Sequence, residues 1–117
     1  MRFLLTYTQT ETTTPPTPEK MAAIQKFAEE NIKAGILLDT GGIMPLSKGA
    51  GVTQRGGKFS VVDGPYPETK ELVVGYAIVN VRDRAEAIEQ ARKFMAIAGD
   101  GDGEVRLLMG PSDGPHH

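Results

Sequence analysis

Cysteine is missing from the 117 residues of this chain, and histidine is confined to His116 and His117 at its end. Without cysteine there is no disulfide framework, no thiolate nucleophile and no cysteine metal centre, and the usage fits a reducing cytoplasm. The two histidines stand on a polar tail, which suits added or disordered residues better than a metal site. No metal and no cofactor is expected. Charge of one sign is scarce too: 13 Lys and Arg against 15 Asp and Glu leave a net −2. With no window gathering Lys and Arg on one face, a broad electrostatic case for nucleic acid is excluded. No apolar run approaches the ~20 residues needed to span a bilayer. Met1-Arg2-Phe3-Leu4-Leu5 is too short for a signal-peptide core, and a polar stretch follows at once. These absences predict a cytoplasmic protein that directly contacts neither nucleic acid nor membrane.

What is present reads as one domain with a real core, predicted over residues 1–110 with a flexible tail at 111–117. Phe3, Leu5 and Tyr7 alternate with Arg2, Leu4 and Thr6, the period of a strand. Thr8 to Thr17 reads as a Thr/Pro loop. Thr17 is placed to cap a helix with Pro18 at its first position and Glu19 in its first turn. Met21, Ile24, Phe27, Ala28 and Ile32 keep helical spacing, and Gly35 terminates it. Ile36 to Asp39 is predicted as a short buried strand ended by Gly41-Gly42. Gly49-Ala50-Gly51 reads as a loop, and Gly56-Gly57 as the tight turn of a hairpin between Val52–Arg55 and Lys58–Val62.

A long strand is expected from Leu72 to Val81. Asp83 and Glu86 then form a capping-box pattern before a helix with Ala87, Ile88, Ala91, Phe94, Met95 and Ala98 on one face. Gly99 closes that helix, and Val105, Leu107 and Met109 mark a last strand. The order strand, helix, strand, hairpin, strand, helix, strand predicts an α+β fold: a ferredoxin-like βαββαβ antiparallel sheet with an inserted β-hairpin and both helices on one face.

The long strand is apolar on both sides. Val74, Tyr76 and Ile78 lie on one, and Val73, Ala77, Val79 and Val81 on the other. Two helices cover one face only, and a bare apolar sheet face of several hundred Å² is unusual on a monomer. Burying ~600 Å² at ~25 cal/mol per Å² is worth on the order of 15 kcal/mol before association costs. A second copy stacked sheet to sheet is therefore expected, giving a two-fold homodimer.

Between hairpin and long strand stands Asp63-Gly64-Pro65-Tyr66-Pro67-Glu68-Thr69-Lys70-Glu71. Its two prolines fix φ and remove donors, so it reads as a stiff loop that holds Asp63, Glu68 and Lys70 in place. At a pocket mouth Asp63 and Glu68 would serve as a general base and its partner, with Lys70 or Arg55 setting the local charge. The structural alternative is that Asp63 caps the turn and Glu68 pairs with Lys70 or a backbone N–H. Tyr7 and Tyr76 are read as placing hydroxyls in the same cavity, against the alternative of ordinary core tyrosines with one hydrogen bond each. Asn80, in mid-strand, is equally two-sided. Asp100, Asp102 and Glu104 alternate with glycine but lack the length and terminal glutamate of an EF-hand loop, so a Gly/Asp turn is the expectation. Gly49-Ala50-Gly51 has no third glycine at the dinucleotide spacing.

The run from Asp63 to Glu71, with Gly75-Tyr76 after it, resembles the DGPF motif (DGPFAETKE) of YCII-related proteins, with Tyr66 for Phe and Pro67 for Ala. The Phe3-Leu4-Leu5 strand, Leu37-Leu38-Asp39 and the helix after Asp83 extend the resemblance over nearly the whole chain. It implies a dimeric α+β barrel, a superfamily whose pockets lie between the sheet and its covering elements. It implies no settled activity. A His–Asp pair has been proposed as catalytic in the wider family; here the corresponding helix region offers Lys20 and no histidine. The implied readings are a small-molecule pocket at the DGPY-PETKE loop with proton-transfer or isomerase-type chemistry, or a non-catalytic accessory protein associated with an ECF-type sigma factor. In the first, Asp63 and Glu68 are the catalytic candidates and Tyr7, Tyr66, Lys70 and Tyr76 the ligand-binding ones.

Overall fold

The computed structural model describes residues 1–10, 16–62, 64 and 71–110, with the backbone alone described at residues 10 and 71–73. Its elements are β1 (Arg2–Thr10), α1 (Pro18–Lys33), β2 (Leu37–Gly42), β3 (Gly51–Arg55), β4 (Lys58–Val62), β5 (Glu71–Asn80), α2 (Arg84–Ala98) and β6 (Asp102–Leu107). A short 3-10 turn covers Leu46–Lys48. Strands β2, β5, β1 and β6 form one antiparallel sheet in that order, the order of a ferredoxin-like sheet, and β3 and β4 form a separate two-stranded sheet.

Local chemistry explains the element ends. Thr17 caps α1 by accepting the Lys20 N–H on its hydroxyl at 3.2 Å, and Pro18 follows where no N–H is required. Asp83 caps α2 by accepting the Glu86 N–H at 2.9 Å. The return half of the expected capping box is displaced by one residue: the Glu86 carboxylate accepts from the Arg82 N–H at 2.6 Å. Gly35 and Gly99 close the helices at φ 76° and 106°, where a side chain would be strained, and Gly56-Gly57 turn the hairpin at φ 56° and 79°.

One face of the large sheet packs under both helices. Phe3, Leu5, Leu37 and Val79 join Ala87 of α2 in the core, with Ala28 of α1 and Ala91 of α2 against them. On the opposite face Leu4, Thr6, Tyr76 and Ile78 are only half-buried, and Asp39, Asn80, Glu104 and Arg106 are exposed. Among the described residues no helix is long and apolar enough to cross a membrane.

Four details depart from the sequence expectations. β1 continues through Thr8 to Thr10 because these residues pair with Val73, Leu72 and Glu71, so Glu71 is strand rather than loop. β2 runs through Gly41 and Gly42, which pair with Tyr76 and Gly75, and Leu38 next to buried Leu37 faces outward. β6 runs from Asp102 to Leu107, so Asp102 and Glu104 are strand residues opposite Thr8 and Thr6 rather than a turn, and Met109, expected in this strand, lies past its end. On α2, Ile88 is 44% exposed while Gln90 is 8% exposed. The buried stripe runs through Ala87, Gln90 and Ala98, and Ile88 stands one position round the helix from it.

Candidate functional site

Sheet register decides how much room lies beneath the helices. Opposed residues share a face, so the covered side can be read in rows across the strands. One row is Leu107, Phe3, Val79 and Leu37; the next is Val105, Leu5, Ala77 and Thr40; the third is Gly103, Tyr7, Gly75 and Gly42. Side-chain bulk thus falls from a row packed at Phe3, Val79 and Leu37 to one in which three of four positions are glycine. Helix α1, which has no buried residue of its own, spans this space rather than filling it.

The result is a cleft of about 1040 Å³ between the helices and the sheet, as large as the larger small-molecule sites of proteins. Ile24 and Phe27 of α1 and Ala91, Phe94 and Met95 of α2 border it from above. Among the described residues its charged lining is Lys20, Asp100 and Asp102, which lie at the glycine-row end, where α1 begins and α2 finishes. Toward the packed row the polar lining is neutral: Asn31 and Gln90.

Tyr7 is the one side chain in the glycine row, and its hydroxyl is fully engaged. It lies 2.8 Å from the Gly99 carbonyl and 2.9 Å from that of Asp100, and accepts from Gln9 Nε2 at 2.8 Å. A hydroxyl has one proton to give, so the two carbonyls share it. The ring meets Phe94 edge to face, with centroids 5.3 Å apart. Tyr7 therefore fastens β1 to the turn after α2 and forms part of the cleft wall.

Tyr76 also borders the cleft, but its ring goes to the other side of the sheet. It opposes Thr6 and Gly41, and its hydroxyl donates to Asp39 Oδ2 at 3.0 Å, a residue that is no part of the lining. The expectation that the hydroxyls of Tyr7 and Tyr76 point into one cavity is thereby corrected: Tyr7 pairs with Gly75, one residue out of phase with Tyr76, and alternation sends the two rings apart. The Asp39 hydrogen bond, with lesser contributions from partial burial and the Asp39 charge, raises the Tyr76 hydroxyl above its usual value of 10.0. On the exposed face of α2, the hydrogen bond from Arg92 lowers the Glu89 carboxyl below its usual range.

Asp63, Tyr66, Glu68 and Lys70 lie outside the described residues, as do His116 and His117. β5 nevertheless begins at Glu71, opposite Thr10, so the chain leaving the DGPY-PETKE segment enters the sheet beyond the glycine row. Asn80 is on the open face, where its Oδ1 accepts from the N-terminal ammonium at 3.4 Å. Arg55 stands at the end of the hairpin strand β3. Glu104 pairs with Arg106 at 3.1 Å, and among the described residues no three His, Cys, Asp or Glu side chains gather as a metal site.

Sequence reasoning missed Gln90, Asn31 and the glycine row. The available signals were Gly75 and Gly103, since glycine inside a strand marks a close approach or an emptied position. Only register shows that Gly75 and Gly103 flank Tyr7 in one row.

Comparison with known proteins returns a match to the YCII-related domain over residues 1–108. An uncharacterized protein of Rhizobium meliloti (strain 1021) is 30% identical over 89 residues, 75% of this chain and 69% of that protein.

Proposed function

Because the chain belongs to the YCII-related family, matched over residues 1–108, we propose that it is a small-molecule-binding protein acting as a homodimer, with its ligand in the cleft between helices and sheet. The observation that carries this reading is the cleft itself: about 1040 Å³, floored in part by Gly75 and Gly42 and walled by Ile24, Phe27, Ala91, Phe94 and Met95. A concave, mainly apolar cleft with a few convergent polar groups is the usual form of a small-molecule site. The second copy covers the half-buried apolar face formed by Leu4, Tyr76 and Ile78, as in a dimeric α+β barrel.

The finer reading is proton transfer or isomerisation, with Asp63 as base and Glu68 as its partner. It is supported by the entry of β5 into the sheet at the end of the cleft that carries Lys20, Asp100 and Asp102. A carboxylate partly shielded from water there gains the raised proton affinity that general-base work at neutral pH requires.

Titration with diphenylhexatriene, a neutral hydrocarbon that fluoresces when removed from water, tests the cleft. Saturable binding at one dye per chain is expected. Gly75→Val places a side chain in the glycine row at a point where a β-carbon would meet only the Gly41 carbonyl oxygen, at 3.5 Å. The fold should tolerate it while dye affinity falls at least about tenfold, the equivalent of ~1.4 kcal/mol. Unchanged affinity would move the site elsewhere. For the chemistry, Asp63→Asn or Glu68→Gln should abolish binding of the physiological ligand with the melting temperature almost unchanged. A large drop in melting temperature would assign both residues to structure.

A further inference from the structure

Gln90 is buried where an aliphatic side chain would be ordinary. It follows Ala87, which is completely buried, by one turn of α2, and it is itself 8% exposed. Its carboxamide has two donor hydrogens and an acceptor oxygen, yet among the described residues it has no hydrogen-bond partner. No described side-chain nitrogen or oxygen that is sealed from solvent lacks a partner. The Gln90 amide nitrogen and oxygen therefore each keep some access to solvent. It stands between the cleft and a surface hollow edged by Arg82, Glu86, Glu89 and Lys93.

Across the cleft, Asn31 of α1 spends its Nδ2 on the Phe27 carbonyl at 2.7 Å, leaving Oδ1 as an acceptor. Among the described residues none that is charged lines the cleft at this inner end. Lys20, Asp100 and Asp102 are all at the other, and Gln90 is roughly 12 Å along the helix from Ala98, at about 1.5 Å per residue. A ligand carboxylate or ammonium buried here would meet no counter-charge among the described lining residues of the cleft, and such burial is strongly unfavourable. An uncharged carbonyl or amide would instead satisfy the donors that the protein leaves unmet.

We infer that Gln90 is the polar anchor of the cleft, and that the ligand is an uncharged, elongated, mainly apolar molecule whose carbonyl or amide group reaches Gln90 while its chain lies over the glycine row. This rests on the reading of the cleft as a small-molecule site. It adds the chemical class of the occupant and the residue that selects it.

The test uses the full chain, with octanamide and octanoate at pH 7 as competitors against diphenylhexatriene. The two competitors share a chain and differ in head-group charge. Wild type should be displaced by octanamide at a concentration at least tenfold lower than by octanoate. Gln90→Leu should still bind the hydrocarbon dye but lose about fivefold to tenfold in octanamide affinity, the scale of one hydrogen bond. Its melting temperature should hold or rise, because an unpartnered amide has left the interior. Gln90→Met, closer in shape, should behave alike.

Equal displacement by the two competitors, or octanamide affinity untouched in Gln90→Leu, would overturn the anchor role with the cleft still established by its dye. A fall of several degrees in melting temperature for both variants would make Gln90 a structural amide and equally end the proposal. Failure of wild type to bind the dye would remove the cleft reading and this inference together.

Discussion

Gly101 passes so close to Tyr7 that a β-carbon on it would stand 2.7 Å from the ring's Cε1 and 2.6 Å from the carbonyl oxygen of Thr8. The backbone must hug β1 here because the Tyr7 hydroxyl reaches the carbonyls of Gly99 and Asp100 immediately before it. One aromatic side chain thus dictates a glycine 94 positions away (101 less 7). Gly101→Ala should force either the ring or the β6 entrance to move, costing on the order of 1–3 kcal/mol. Urea unfolding of the variant measures it. A midpoint equal to wild type would mean that the turn relaxes freely and that Tyr7 is not held as described.

The Tyr76–Asp39 hydrogen bond ties β5 to β2 on the open face and makes a pH prediction with a definite sign. The folded state raises the Tyr76 proton affinity, chiefly through that bond. A group whose folded value exceeds its unfolded one contributes stability that is fully present below the unfolded value, near 10, and is lost as pH rises through the folded value. Melting temperature should therefore fall above about pH 10, and Tyr76→Phe should be less stable than wild type at pH 8 with a shallower decline on the alkaline side. Parallel profiles for the two proteins would show that the bond contributes nothing.

Ile78 stands in the middle of the face that the proposed second copy covers, opposite Leu4 on β1. In a single chain it is only half-buried, so Ile78→Glu leaves the charge hydrated and the fold intact. In a two-fold dimer the change buries two carboxylates near each other, a penalty of several kcal/mol. Sedimentation at micromolar concentration should show wild type as two chains and Ile78→Glu as one, with unchanged circular dichroism. A wild-type protein that sediments as one chain would defeat the dimer.

The hairpin was legible down to its turn, since Gly56-Gly57 between two β-rich runs leaves little choice of conformation. Both helices were legible from Thr17-Pro18 and Asp83 at their starts and from apolar spacing along their length. The errors concern neighbours rather than propensity. Thr8 to Thr10 look like loop because nothing local shows that Leu72 and Val73 lie alongside them. Ile88 looked inward because apolar spacing on α2 fits two adjacent stripes, and contact with Phe3, Leu5 and Val79 selects the one containing Ala87.

Residue order alone settled what depends on short range: an α+β fold class, its element types, its turns and its place in the YCII-related family, all written in side-chain period, capping groups and a contiguous motif. The tertiary structure decided where space remains. Gly42, Gly75 and Gly103 sit on three different strands, and only the pairing of those strands with each other and with β1 brings them into one row beside Tyr7. Cavities arise from atoms that meet across the fold, so the volume beneath the helices and the solitary amide of Gln90 are properties of register and packing, which no local pattern encodes.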